Sequence, residues 1–358
     1  LFGDNSLGWR FFALLAGTAT VMGVFAIGWL IFRQVRTATL AALFVLLNIT
    51  VFIQARIAML DGFMGAFVVL GIAALLWSMR AMTARTTWWR WVLGGVLLGL
   101  AVGAKWAAAP FVAYAGVAFV AVRLRDARAA KRSVYGALNG LNQPHWPGLA
   151  AVPAMLALGI VSIATYALTF APAFFYATQP LSIAGFLPFQ HQMYLVQTQI
   201  LPSHPYQSNW WSWPLMLRPI WYLYEPADGA IRGIFMVGNP AILWGGLVAV
   251  IACLWAWLRD GAVKPFAVTM LWGGAYAMWI VIPKSLGFFY YYYLPSIFLA
   301  LPLAAAWGHY GTGRFRGWDE YFLAVSAGLF AYFSPIISAV ALAGPRSFQH
   351  WIWFKTWP

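Results

Sequence analysis

The chain has eight carboxylates in 358 residues, few enough to weigh one by one. Asp126, Asp260, Asp319 and Glu320 share connectors with clusters of Arg and Lys, whereas Asp4, Asp61, Glu225 and Asp228 lie in the other connectors. Arg56 and Asp61 open and close the run RIAMLD between two apolar stretches, so a cation and an anion stand five residues apart at a membrane surface. An ionisable group at that depth is functional by default, and the blander alternative is a local ion pair that caps the following helix. Lys105 ends the apolar run GLAVGAKW. It reads either as a snorkelling side chain or as a charge clamp for an anionic lipid phosphate, strongest where the dielectric is low.

A third group is the run SHPYQSNWWSWPLMLRPIWY at 203–222, which sets His204, Tyr206, Trp213 and Arg218 in one loop. A loop histidine is more often a hydrogen-bonded surface residue than a base or ligand. His191 and His204 are thirteen residues apart, and the single cysteine, Cys253, sits in an apolar run, so no metal site is indicated by motif. Asp319 and Glu320 stand beside Arg314 and Arg316 at the start of an apolar run, as helix-starting acids do. Phosphate-binding loops, a GxSxG elbow and a dinucleotide fingerprint are absent from any suitable context.

The elements that must position these residues follow from composition. With 63% hydrophobic residues, 8% charged residues and a mean hydropathy of +0.75, the chain cannot cover itself with polar surface in water. Apolar runs of membrane-crossing length predict an all-α polytopic membrane protein with about ten spans, at 11–32, 38–54, 62–80, 90–104, 107–122, 149–170, 238–258, 265–282, 291–308 and 320–341. The alternation of a membrane strand is missing, and the Gly94–Gly103 stretch suits close helix packing. The net charge of +14 falls as short clusters at span ends, a topology signal rather than a nucleic-acid footprint. Fourteen of the 22 basic residues mark one set of connectors as cytoplasmic, which leaves Arg56, Asp61, Lys105, Arg218 and both chain ends on the opposite face. Residues 171–237 form the one sizeable extramembrane connector. This divides the chain into 1–170, 171–237 and 238–358. The connector's Trp210, Trp211, Trp213, Trp221, Tyr222 and Tyr224 fit an amphipathic segment in the membrane interface, or a platform that stacks on sugars. No internal repeat supports a transporter of the inverted-repeat kind.

LFGDNSLGWRF at 1–11, ARIAMLDGF at 55–63, GLAVGAKW at 99–106 and HPYQSNWWSWPLMLRPIWY at 204–222, followed by GNPAILWGG at 238–246, together resemble the protein O-mannosyltransferases and their bacterial relatives within the GT-C membrane glycosyltransferases. The resemblance covers nearly the whole chain. It implies an eleven-span bundle with its first span, and an Asp-Glu pair holding the principal base, ahead of Leu1; Asp4 does not match that pair. It further implies inverting transfer of mannose, or a related hexose, from a polyprenyl phosphate to Ser and Thr hydroxyls of exported proteins. Asp61 and Arg56 then belong to the catalytic set, and Lys105, Arg56 and Arg218 meet the donor phosphate. His204, Tyr206 and Trp213 shape the acceptor and sugar pocket. The short connector lacks the large soluble insert of eukaryotic members. A bacterial inner-membrane enzyme with a periplasm-facing site, and a homo- or heterodimer, is the expectation. No cofactor is implied, and divalent-metal dependence stays open. Transfer of a sugar such as aminoarabinose to lipid A, a catalytically inactive partner subunit and a membrane transporter remain as alternatives.

Overall fold

The computed structural model describes residues 3–140, 143–282 and 284–358. Its helices, in chain order, are α1 (Ser6–Phe32), α2 (Val35–Leu46), α3 (Ile49–Gln54), α4 (Leu60–Met79), α5 (Ala84–Ala104), α6 (Ala109–Ala129), α7 (Val134–Leu138), α8 (Ala151–Leu168) and α9 (Ile183–Gln197). A hairpin of β1 (Ile220–Ala227) and β2 (Ala230–Met236) follows, then α10 (Pro240–Asp260), α11 (Val263–Val281), α12 (Tyr293–Tyr310) and α13 (Trp318–Ile337). Among the described residues eight helices are long and apolar enough to cross a membrane, and the chain is an integral membrane protein. Of the ten expected spans, the second is divided into α2 and α3, and the eighth is the 19-residue α11, outside that set of eight.

The described chain forms two compact units, one of Leu1–Gly62 with Leu201–Pro358, the other of Phe63–Ile200. In the first, α12 is the core. Tyr293 through Ala305 are buried without interruption, as expected of a helix that is apolar all round, and α2, α10 and α11 pack around it. The break between α2 and α3 is made by Asn48, a residue suited to capping. Its side-chain oxygen accepts from the Thr50 N–H at 3.1 Å, and its amide donates to the Ser296 carbonyl at 3.2 Å and hydroxyl at 3.1 Å. The Leu47 carbonyl freed by the break accepts from Asn239 Nδ2 at 3.1 Å. These bonds satisfy backbone and amide groups that the break would otherwise leave open in the core.

β1 and β2 pair antiparallel from Ile220↔Met236 to Ala227↔Ala230. Asp228 and Gly229 close them with φ of 50° and 73°, the two-residue turn that matches strand twist. Trp221, Tyr222 and Tyr224 of the aromatic connector thus lie on a strand, where Trp221 packs on Phe235 with ring centres 4.5 Å apart.

In the second unit α5 packs along α8. A Cβ at Gly99 would meet the Ser162 carbonyl at 2.5 Å, and one at Gly103 would meet Thr169 Cγ2 at 2.5 Å, so glycines at a four-residue spacing let the backbones touch. Trp91, fully buried, donates from its indole to the Ala154 carbonyl at 2.9 Å. Helix α9 has no buried residue. It is tied down by Tyr166, whose hydroxyl donates to Gln190, and by Phe170 against Phe186.

Candidate active site

Helix α3 ends at Gln54, a short turn carries Arg56, and α4 begins at Leu60, which sets Asp61 in its first turn. A Cβ at Gly62 would lie 3.3 Å from the Gln54 carbonyl, so the two helix ends meet closely here. Asp61 is buried. Its charge acts on four tyrosines: Tyr222 of β1, Tyr290 and Tyr291 of the 3₁₀ turn Phe289–Tyr292, and Tyr293 at the start of α12. The Tyr222 hydroxyl accepts from Gln54 Nε2 at 3.3 Å. Burial first, then the charge of Asp61 and Tyr290, hold its phenol well above the usual tyrosine range, so it stays a hydrogen-bond donor. A carboxylate and phenols within reach of one another's charge can hold a hydroxyl-bearing substrate together, the carboxylate accepting and the phenols donating.

Arg56 is half-buried and contacts neutral groups. Its Nη2 donates to the Ser338 carbonyl at 3.4 Å, and its guanidinium lies 5.1 Å from the centre of the Phe52 ring. Burial, and then repulsion from Arg10 of α1, lower its pKa below the usual arginine range. An anion bound between the two guanidinium groups would offset both influences, because it attracts each cation. The arrangement therefore suits a phosphate.

The run 204–218 folds against the segment leading into α12. The Ser208 N–H donates to the Gly287 carbonyl at 2.8 Å. Trp213, buried, donates to Ser208 Oγ at 3.0 Å and meets Tyr291 with ring centres 5.8 Å apart. His204 Nδ1 accepts from the Tyr206 N–H at 3.1 Å, and its ring stands 5.3 Å from that of Phe288. Arg218 donates from Nε to the Pro205 carbonyl at 3.1 Å and from Nη2 to the same oxygen. His204, Tyr206, Trp213 and Arg218 are thus gathered, and Tyr291 links them to the surroundings of Asp61. Lys105 belongs to the second unit, where it is half-buried, ends α5 in extended conformation and precedes the Trp106–Ala108 turn. There Trp106 donates to the Tyr166 hydroxyl at 2.8 Å.

Sequence reasoning missed Arg10, Gln54 and Tyr290–Tyr293, and noted Tyr222 only as an interfacial aromatic. The run FFYYYY at 288–293, directly ahead of an apolar span, was the available signal for the tyrosines. Arg10 meets Arg56 only in space and left no local mark.

A family model described as dolichyl-phosphate-mannose-protein mannosyltransferase matches residues 1–179, and one described as the C-terminal four-TMM region of protein O-mannosyltransferase matches residues 182–357. A polyprenol-phosphate-mannose–protein mannosyltransferase of Mycolicibacterium smegmatis is 27% identical over 86% of this chain and 68% of its own length. One from Mycobacterium tuberculosis is 26% identical over 100% of this chain and 78% of its own length. Among solved structures, the donor-bound Pmt1-Pmt2 protein O-mannosyltransferase complex of S. cerevisiae superposes with a TM-score of 0.79 at 12% identity, over 98% of this chain and 80% of that one, a likeness of fold.

Proposed function

The chain belongs to the protein O-mannosyltransferase family, and from that premise we propose that it moves mannose from a polyprenyl phosphate to Ser and Thr hydroxyls of proteins, with inversion at the anomeric carbon. The acceptor oxygen bonds to the anomeric carbon as the bond to the phosphate oxygen breaks. The electron pair leaves on the phosphate, and the hydroxyl proton passes to a carboxylate. A departing phosphate monoester needs cations placed in advance more than it needs an acid. The observation that carries this reading is Arg56, half-buried and repelled by Arg10, in the same unit as the buried Asp61. Arg56 and Arg10 meet the phosphate. Asp61 and its tyrosines orient the hydroxyls of the sugar and acceptor. The chemistry takes place at the periplasmic face of a bacterial inner membrane. A second copy or a related chain is the proposed assembly partner, as in the yeast two-chain complex.

The test is transfer of labelled mannose by the full-length protein from polyprenyl phosphate mannose to a Ser/Thr-rich peptide, with lipid A present as a competing acceptor. Labelled peptide supports the proposal. Label on lipid A alone would move the enzyme to glycolipid modification.

A further inference from the structure

The unit of Phe63–Ile200 carries nine basic residues, eight of them in the two stretches 80–90 and 123–132, against one acid, Asp126. The loop between α7 and α8 stitches both stretches to one end of that unit. Trp146 donates from its indole to Ser78 Oγ near the end of α4 at 2.9 Å, and Trp88 of α5 donates to the Gly148 carbonyl at 3.3 Å. Arg123 of α6 donates from Nη2 to the Trp146 carbonyl at 2.8 Å and to the Leu149 carbonyl at 2.6 Å. The one acid is already met, since Asp126 Oδ1 accepts from Arg125 Nη2 at 2.9 Å and its Oδ2 meets His145 Nδ1. The rim therefore holds a large positive charge that nothing in its own sequence balances.

Membrane topology asks only for a bias of charge. Among the connectors that this bias assigns to the cytoplasm, those of the other unit supply it with six bases against three acids, and the acids pair within the fold, Asp319 and Glu320 with Arg36, and Asp260 with His309. The rim at 80–90 and 123–132 exceeds that need. Two of its arginines are held by rings and carbonyls rather than by acids. Arg90 lies 3.9 Å from the centre of the Trp77 ring and gives Nη1 to the Trp77 carbonyl at 3.2 Å, while its buried Nε has no partner among the described residues. Arg123 is fully buried, and its Nε and Nη1 are in the same condition. Arg85 stands in the first turn of α5, where the positive end of a helix disfavours a cation, so helix stability does not account for it. Large apolar side chains, Met82, Trp89 and Tyr135, stand exposed beside these cations.

An occupant that answers these features carries net negative charge, oxygen acceptors for guanidinium groups, and an apolar part continuous with both. A soluble polyanion brings the charge and leaves Met82 and Trp89 uncovered. A zwitterionic lipid brings a cation of its own against the rim. We propose that the rim of 80–90 and 123–132 binds anionic phospholipid, with the phosphate on its arginines and the acyl chains along the apolar side chains beside them. The assignment is independent of which acceptor receives the sugar.

The test incubates full-length protein in neutral detergent with equal amounts of phosphatidylglycerol and phosphatidylcholine of identical acyl chains, and counts the lipids retained by native mass spectrometry. Wild type is expected to retain phosphatidylglycerol roughly tenfold over phosphatidylcholine. Arg85→Gln with Arg128→Gln removes two exposed charges from the rim and is expected to cut that preference roughly three- to tenfold. Arg314→Gln with Arg316→Gln removes two exposed charges from the other unit and is expected to leave it within about twofold. Inorganic phosphate, or a short oligonucleotide at the concentration of the lipid, is expected to leave the adducts in place. Equal retention of the two lipids by wild type, or an equal loss in the rim and control pairs, overturns the proposal. Displacement by the oligonucleotide or by phosphate overturns it too, because the rim would then read charge alone.

Discussion

The turn at 55–61 and the run at 204–218 each carry one arginine, in one unit of the molecule, and the two guanidinium groups meet opposite surroundings. Arg218 directs Nε and Nη2 at the Pro205 carbonyl and closes its own loop. Arg56 is half-buried against the Phe52 ring and a distant carbonyl, and it is pushed by Arg10. One arginine has found its partner within the fold; the other is held where a partner has yet to arrive. Arg56→Ala is accordingly expected to lower kcat/KM for mannose transfer by about 10²- to 10³-fold, the scale for losing a group aimed at developing charge, with the protein still inserted in the membrane. Arg56→Lys should recover only part, because a point charge replaces a planar fork. Asp61→Asn should cost as much, since it removes a buried charge that acts on four tyrosines. Near-normal turnover in Arg56→Ala and Asp61→Asn would dissolve the contrast and the site with it.

Arg218→Ala probes the other half of the comparison. Loss of the link to Pro205 loosens His204 and Tyr206, so the expected result is about a tenfold rise in KM for acceptor peptide with donor KM little changed. A rise in donor KM alone would instead place Arg218 on the phosphate, the role its motif first implied. Tyr222→Phe is a smaller step. It removes one hydroxyl that the Gln54 amide meets at 3.3 Å and keeps the ring. A loss of roughly threefold to tenfold in kcat is expected, read in the same transfer assay. An unchanged kcat would remove Tyr222 from the hydroxyl network around Asp61.

Much of the fold was legible because membrane-length apolar runs leave few alternatives. What escaped depends on partners far along the chain. Asn48 sits inside an apolar run that one polar residue does not visibly interrupt, and its break holds because Ser296 and Asn239 satisfy it from later helices. The hairpin had an Asp-Gly turn in plain view at 228–229, but Glu225 and Pro226 diluted the alternation of β1. Asp61 and Arg56 stood out because charge is rare beside apolar spans. The tyrosines at 290–293 did not, since aromatic residues at a span end are ordinary membrane anchors. Lys105 was read from a motif of the same kind as RIAMLD, and the fold puts it in the other unit, at the end of α5.

The weakest perturbation sharpens the contrast furthest, because it compares carboxylates in the same structural position. Asp319 and Glu320 occupy the first turn of α13 much as Asp61 occupies that of α4. The sequence set them beside Arg314 and Arg316, yet the structure pairs them with Arg36 of α2, whose Nε and Nη2 donate to Asp319 at 2.9 Å and whose Nη2 also reaches Glu320 at 2.7 Å. Arg36 is largely exposed, so solvent screening holds such a pair to about 1 kcal/mol or less. Both acids already have a cation in the fold. The double change Asp319→Asn with Glu320→Gln is therefore expected to lower thermal stability by a few degrees at most and to leave transfer within about twofold. A tenfold loss of transfer would show that a carboxylate at a helix start can govern this reaction from outside the tyrosine cluster, and the distinction drawn for Asp61 would fail.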